Sequence, residues 1–394
     1  MPEPLEGVRI VDLSRYIAGP LCAQILGDMG AEVIKVEPPD GEDGRIGLPI
    51  YESYSLYFAS YNRNKLGVTL NLRTEKGKHL LRQMVERADV LVQNFRPGTM
   101  ERMGLGNSHL AEINPGLITV NIAGFNPLSP YVDWPAYDEI AQAVSGLMDL
   151  TGPADGPPTL IGVYIIDHLT GLYAAIGALA ALEQRRHTGK GQSVDVALVD
   201  SAVATLSTQI PWKLLTGQSE TRNGNRNRRV AAINTYGTKD GYVYINAGRD
   251  HQWSRLVEIM GVPELRSAPA FATREARTHQ KEQIDAIIGR WTAERTSEEV
   301  AAVLATSGVP SGPVRTVGEV AADPSLMASG MVLNVRTPEG AIVPVMGSPV
   351  RLASQACSVR KSPPAVGEHN EQVYGSLLGY SSEEIAAWRA SGVI

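Results

Sequence analysis

The stretch GVRIVDLSRYIAGPLCAQILGDMGAEVIKVE, Gly7 to Glu37, carries the change of periodicity that decides the fold. Val8 to Leu13 (VRIVDL) is a short run rich in β-branched residues, Gly19-Pro20 opens a helical stretch through Met29, and Ala31 to Glu37 (AEVIKVE) returns to strand character. This is a βαβ unit. Working outward, the alternation continues with a helix around Glu75 to Arg87 and strands at Asp89 to Phe95 (DVLVQNF) and Leu117 to Gly124 (LITVNIAG). Strands alternating with helices predict an α/β fold with a mainly parallel sheet, which places ligands beyond the carboxyl ends of its strands.

Helical signals dominate from Tyr137 to Thr216, interrupted by TGPADGPP (Thr151 to Pro158) and TGKGQSVDVAL (Thr188 to Leu198). The polar TRNGNRNRR stretch then reads as a linker. Asn234 to Gly248 has the pattern of a hairpin turning at Lys239-Asp240-Gly241, and helical patterns follow at HQWSRLVEIMG, Gln280 to Arg290 and SEEVAAVLATSG. The resulting division is 1–200 for the N-terminal part of a large α/β domain, 201–224 for a linker, 225–325 for a small α+β domain, and 326–394 for a linker and a C-terminal part that rejoins the large domain.

Among 394 residues, 43% are hydrophobic and 20% charged, enough to bury a sizeable core. The net charge of −6 argues against general nucleic-acid binding, which needs a basic surplus, but leaves room for one small polyanionic ligand. Arg222, Arg226, Arg228 and Arg229 form the one dense basic run, either a solvated linker or a segment that meets an anion. Two distant cysteines, Cys22 and Cys357, give neither a disulfide framework nor a metal spacing, and a reducing cytoplasm suits them. The acidic start MPEPLEG lacks the basic flank of an export signal. The apolar stretch Leu172 to Leu182 is about half the ~20 residues a bilayer span needs, so it reads as a buried helix and no membrane partner is expected.

The chain has no GxSxG elbow, HExxH zinc motif or GxxxxGK[ST] phosphate loop. Gly104 to His109 (GLGNSH) lacks the third glycine of a dinucleotide fingerprint and does not follow the first strand. The seven histidines show no paired ligand spacing, and no metal site is expected. The informative stretch is IGVYIIDHLTGLYAAIGALAALEQRRHTGKGQSVD, Ile161 to Asp195. Asp167 ends an apolar, strand-like run and begins a helix rich in Ala and Gly. By spacing alone it is a helix N-cap, worth about 1 kcal/mol, or a functional carboxylate. Gly171, Ala174, Ala175, Gly177 and Ala178 allow close helix packing.

This stretch resembles the signature of the family III CoA-transferase and α-methylacyl-CoA racemase superfamily. So, in order, do GVRIVDLSRYIAGPLCAQILGDMGAEVIKVEPP, NRNKLGVTLNL, DVLVQNFRPGTMERMGL, PAYDEIAQAVSGLMDLTG, SGVPSGPV, EVAADP, GSPVRL and GEHN, so the similarity spans essentially the whole chain. The resemblance implies a Rossmann-like large domain, an interlocked homodimer, and Asp167 as a nucleophile that carries CoA from an acyl-CoA to a free carboxylic acid through anhydride and thioester intermediates. It implies CoA as a substrate, with no tightly bound cofactor. It also implies CoA contacts at Tyr16, Ile17, Ala18, Leu72, Arg73, Asn94, Phe95, Arg102 and Met103, with Arg73 and Arg102 on phosphates and Asn94 and Phe95 near the adenosine or pantetheine. Arg102 has an alternative reading as a surface helix residue.

Racemases of the superfamily carry a His before the Asp at PAYDEIAQA, where this chain has Tyr137; a phenol, ionising near about pH 10, is a poor base, which favours transfer. Asp138 either tunes Asp167 and positions the acceptor or caps the helix running to Met148. Ile17 stands where formyl-CoA transferase-like proteins have Gln, which turns the resemblance toward succinyl-CoA-dependent enzymes of dicarboxylates. Arg15 and the Arg222 to Arg229 cluster are candidates for a carboxylate clamp. The glycine-rich lid of the family corresponds to RNGNRNRRVAAINTYG, which has no run of glycines. A noncatalytic CoA-binding protein of the same fold is the reading from another class, and the intact Asp167 argues against it.

Overall fold

The computed structural model describes residues 3–338, 340–353, 355–356 and 359–394. Cys357 lies outside them; Cys22 is buried, and burial pushes its thiol away from ionisation. The chain divides into two units, Met1–Leu147 with Ile161–Leu214 and Pro324–Ile394, and Met148–Leu160 with Leu215–Asp323. Met148–Leu160, placed by sequence inside the large domain, thus belongs to the second unit.

In the first unit, β1 (Arg9–Asp12), α1 (Ala18–Asp28) and β2 (Glu32–Glu37) make the expected βαβ unit. They are followed by β3 (Lys65–Thr69), α2 (Glu75–Val85), β4 (Val90–Gln93), β5 (Ile118–Ala123), α3 (Asp138–Ser145), α4 (Ile165–Thr188) and β6 (Ser193–Ala197). The six strands are parallel throughout, in the order β3-β2-β1-β4-β5-β6. The order reverses at β1, where a doubly wound sheet opens a crevice at the strand ends. One layer of core packs Leu80, Leu81, Met84 and Val85 of α2 against Val11, Ile34 and Leu91. The other packs α1 and α4 against Ile10, Val33, Val90 and Val120.

Two of the strands, β3 and β6, are additional to those the sequence predicts. SVDVA looked like a break between helices, yet it pairs in register with β5 from Thr119↔Ser193 to Ala123↔Ala197. The region 201–224, expected to be a linker, instead carries the end of the helix Leu198–Val203 and the helix Gln209–Thr216. β3 is an edge strand, and exposed strand edges invite unwanted pairing. Here the C-terminal segment covers it: the Asn64 N–H donates to Lys361 O (3.0 Å), the His369 N–H to Gly67 O (2.9 Å), and Asn370 Oδ1 accepts from the Thr69 N–H (2.9 Å). A Cβ at Gly67 would lie 2.9 Å from Pro364, so only glycine allows this approach.

The strand interiors also bury charge. Lys65 Nζ donates to Asp12 Oδ2 (2.8 Å), Asn62 Oδ1 (2.9 Å) and Pro20 O (2.9 Å), using all three ammonium protons on β1, the residue run before β3 and the first turn of α1. Lys35 on β2 donates to Ser14 O and faces Glu42 at 3.3 Å. Removing one partner of such a pair strands the other charge in a dry interior, so the network ties the helix start to the strand ends.

α4 is longer than the expected buried helix. It is long and apolar enough by length and composition to cross a membrane. One side, with Ala174, Ala175, Ala178 and Ala181, is buried against α1 and the sheet; Leu172, Tyr173 and Ile176 on the other are exposed. At Gly171 a Cβ would come within 2.8 Å of the Ala18 carbonyl oxygen, the close approach that the small residues suggested.

In the second unit, β7 (Ile233–Gly237) and β8 (Tyr242–Asn246) form the expected hairpin, with β9 (Ser311–Pro313) antiparallel to β8. Helices Asp250–Ile259, Lys281–Thr292 and Ser297–Thr306 close a core around Trp253, Val243, Ile288 and Leu304. The arginine cluster is paired inside this unit: Arg222 with Asp149 (2.6 Å), Arg226 with Asp285 (2.7 Å) and Arg229 with Glu220 (2.7 Å). The lid-like stretch RNGNRNRRVAAINTYG lies here as well.

Candidate active site

A cavity of about 1320 Å³ opens at the carboxyl ends of the sheet in the first unit. Residues following each of the six strands line it, among them Arg15, Tyr16, Pro38, Leu72, Asn94, Gly124 and Leu198. The sheet topology alone accounts for that position.

Asp167 lines this cavity as the third residue of α4, whose N-cap position is Tyr164. It is therefore not the helix cap that spacing suggested, and Ile161 to Tyr164 is loop rather than strand. The cap comes from elsewhere in the chain. Asp138, 1% exposed, accepts hydrogen bonds through Oδ2 from the N–H groups of Ile166 (2.6 Å) and Asp167 (3.0 Å). Its Oδ1 accepts from Gln142 Nε2 (2.5 Å), and Gln142 Oε1 accepts from the Ile161 N–H (3.0 Å). Asp138 begins α3 but caps α4, so its side chain is not the cap of its own helix. Tyr137 occupies that N-cap position without a side-chain bond.

Burial, then the charges of Asp138 and Glu139, push Asp167 up to about 7, against a backbone hydrogen bond from Ala18. The Asp138 carboxylate, fixed by its donors, opposes the ionisation of Asp167. Replacing Asp138 with asparagine should therefore move the acid limb of the pH profile of kcat/KM down by about one unit. A limb unmoved between about pH 5 and 8 would show that Asp138 does not set it.

Of the residues expected around the ligand, Arg15, Tyr16, Ile17, Ala18, Leu72, Arg73, Asn94, Phe95, Met103 and Tyr137 all line the cavity. Tyr16 adopts φ +67°, a costly conformation for a bulky residue, which turns the chain sharply from β1 into α1. Its ring meets that of Tyr137 edge-on at 5.7 Å, and its hydroxyl donates to Asp43 (3.2 Å). Asn94 is spent on the wall itself: Oδ1 accepts from the Arg15 N–H and Nδ2 donates to Arg15 O, each at 2.8 Å. The Arg15 guanidinium lies 5.8 Å over Phe95 and 3.8 Å from Asp43.

Arg102 is not among the lining residues; it is exposed and donates to Thr99 Oγ1 (2.9 Å). The turn Thr99–Arg102 brings Thr99, and Met103 just after it, into the cavity wall, and Arg102 sits beside Thr99. Sequence reasoning missed Arg96, which lines the cavity with Arg73, both exposed. The signal was the Arg in NFRPG itself, directly after the strand end. Tyr57 and Tyr164 were missed too; burial and the charge of Asp167 push Tyr57 up, and no local pattern marks it. Among the described residues no group of three or more His, Cys, Asp or Glu gathers to hold a metal.

The family model for CoA-transferase family III matches residues 5–370. The chain is 38% identical over 396 residues to succinyl-CoA–D-citramalate CoA-transferase of Chloroflexus aurantiacus, covering 100% of this chain and 98% of that protein. It is 36% identical over 395 residues to human succinyl-CoA:glutarate CoA-transferase, covering 100% and 90%. The crystal structure of a CAIB/BAIF family protein from Brucella suis superposes with a TM-score of 0.86 at 38% identity, covering 96% of this chain and 100% of that one. An α/β chain with these matches over nearly its whole length belongs to CoA-transferase family III, and it is a CoA-transferase.

Proposed function

We propose that this enzyme moves CoA from succinyl-CoA to a dicarboxylic acid, with Asp167 as the nucleophile. The carrying observation is a half-buried carboxylate in a large cavity, held at the start of a helix by a second, firmly hydrogen-bonded carboxylate. Asp167 Oδ attacks the thioester carbonyl, the C–S bond breaks, and CoA thiolate leaves behind an aspartyl mixed anhydride. The thiolate then attacks the Asp167 acyl carbon and expels the donor acid as its carboxylate, leaving an aspartyl-CoA thioester. The acceptor carboxylate reverses both steps. One thioester replaces another, no net proton moves, and no resident cofactor enters. Water must be excluded, because it would hydrolyse either intermediate.

The raised pKa supports this assignment, since a more basic carboxylate is a stronger nucleophile once ionised. Arg73 and Arg96 suit the phosphates of CoA, and Arg15 suits the distal carboxylate of a dicarboxylate. Arg15→Ala should raise the KM of dicarboxylates about fivefold and leave monocarboxylates unaffected; equal effects on both would exclude the clamp. The exposed apolar side of α4, with Ile140 and Val144 of α3 also exposed, supports a homodimer; sedimentation as a monomer at micromolar concentration would overturn it. A cytoplasmic setting belongs to the same proposal.

The test is transfer from succinyl-CoA to a panel of acids including glutarate and D-citramalate, with products separated by chromatography. New acyl-CoA from at least one dicarboxylate is expected. Tight CoA binding without transfer from any donor would overturn the reading in favour of a binding protein, and α-proton exchange alone would replace it with racemisation.

A further inference from the structure

The cavity wall after β3 is not held by the sheet alone. Asn71, which lines the cavity beside Leu72 and Arg73, donates its backbone N–H to Val393 O (2.7 Å) and its Nδ2 to Gly392 O (3.1 Å). Its own oxygens face the other way: Oδ1 accepts from the Arg73 N–H (3.1 Å), and the backbone carbonyl accepts from Thr74 N–H (3.1 Å) and Oγ1 (2.9 Å). Thr74 in turn caps α2. Asn71 thus joins the turn that presents Leu72 and Arg73 to a segment more than 300 residues later.

That segment is itself anchored. The Val393 N–H donates to Trp388 O (2.9 Å) at the end of the helix Ser382–Ala390, and Val393 and Ile394 are buried in the same core as Leu70. The Trp388 ring packs on Tyr380 (4.7 Å between centroids) and Tyr374 (6.2 Å), whose hydroxyl donates to Thr69 O (2.7 Å). Lys76 of α2 places its ammonium 4.4 Å from the Trp388 ring. Gly392 lines the cavity at φ +69°, the conformation that aims its carbonyl at Asn71.

We infer that the C-terminal strap Gly392–Val393, anchored by Trp388, is a positioning element for acyl-CoA, acting through Asn71 to hold Leu72 and Arg73 where the CoA moiety binds. The inference rests on the CoA-transferase reading above. Asn71 and Gly392 are positioning residues that act through Leu72 and Arg73, so their loss weakens binding of the thioester and not the chemistry.

Two variants separate this role from plain stability. Asn71→Ala removes the side-chain bonds, and Gly392→Val leaves Asn71 intact but places a β-branched residue at positive φ, where its Cβ meets nothing within 4 Å. Binding of CoA by isothermal titration and steady-state kinetics are measured on both and on Arg389→Ala, which alters an exposed ion pair of the same helix. Both strap variants should raise the CoA Kd and the acyl-CoA KM about tenfold, with kcat changed less than about twofold and the acid KM unmoved, while Arg389→Ala binds like the parent. A lower melting temperature with an unchanged Kd in either strap variant would overturn the inference. Parent enzyme that does not bind CoA at all would overturn the functional reading with it, which the first titration reveals.

Discussion

Replacing Asp167 with asparagine should lower CoA transfer by at least about a thousandfold. Asparagine keeps the shape and the neighbouring hydrogen bonds, since Asp138 bonds the Asp167 backbone and not its side chain. What it removes is the nucleophilic oxygen. In the parent enzyme, incubation with succinyl-CoA and digestion should yield a CoA-modified peptide containing Asp167, absent from the variant. A variant that retains a tenth of the activity would eliminate Asp167 as the nucleophile.

The same substitution has a stability signature of known sign. The folded chain holds Asp167 up to about 7 because burial and Asp138 oppose its charge. From the ordinary carboxylate range to about 7, the native state keeps a proton that the unfolded chain has released. The stability this group contributes is fully present below about pH 4 and is lost as pH rises through 7. Asparagine carries no such penalty, so Asp167→Asn should be more stable than the parent by about 2 kcal/mol near pH 8 and nearly equal to it near pH 4. Urea unfolding at the two pH values checks both the size and the direction; a variant less stable at pH 8 would contradict the buried, charge-opposed environment.

What could be read from the chain depended on range. The βαβ unit of Gly7 to Glu37 was legible because its period changes within a few residues, and the β7–β8 hairpin because Asp240-Gly241 marks its turn. β3 was obscured because its buried Lys65 and its Gly67 owe their places to partners elsewhere, Asp12 and Pro364. β6 was obscured because it alternates over only five residues between helices. At the site, Asp167 stood out through the order of separated motifs, whereas its local pattern misplaced the helix start: VYII has the look of a strand, but Asp138, nearly thirty residues earlier, supplies the acceptor that starts the helix at Ile165. Arg96 illustrates the same limit, since its place in the cavity wall depends on the path of the loop that follows β4.

Gly171→Val should cost about 3 kcal/mol of stability and at least about a hundredfold in kcat/KM. The Cβ of any residue here would lie 2.8 Å from the Ala18 carbonyl oxygen and 3.1 Å from Leu21 Cδ2. A backbone atom cannot rotate away, so α1 and α4 must separate. The separation falls on Ala18, whose backbone hydrogen bond reaches Asp167, and on Tyr16 and Ile17 in the cavity wall, so packing and catalysis are lost together. Gly177 supplies the contrast. Its added Cβ would meet the Val194 side chain, at 2.5 Å from the Cγ1 methyl, rather than backbone, and it lies ten residues along α4 from Asp167. Gly177→Ala should therefore cost about 1–2 kcal/mol of stability but keep near-normal turnover. If Gly171→Val does not fold, Gly171→Ala gives the graded measurement, and thermal unfolding with kcat/KM on the same preparations decides. Equal tolerance at the two glycines would mean that the α1–α4 contact does not set the geometry around Asp167. A loss confined to Gly171 would make that contact the route by which a small residue four positions into the chain beyond the nucleophile controls its chemistry.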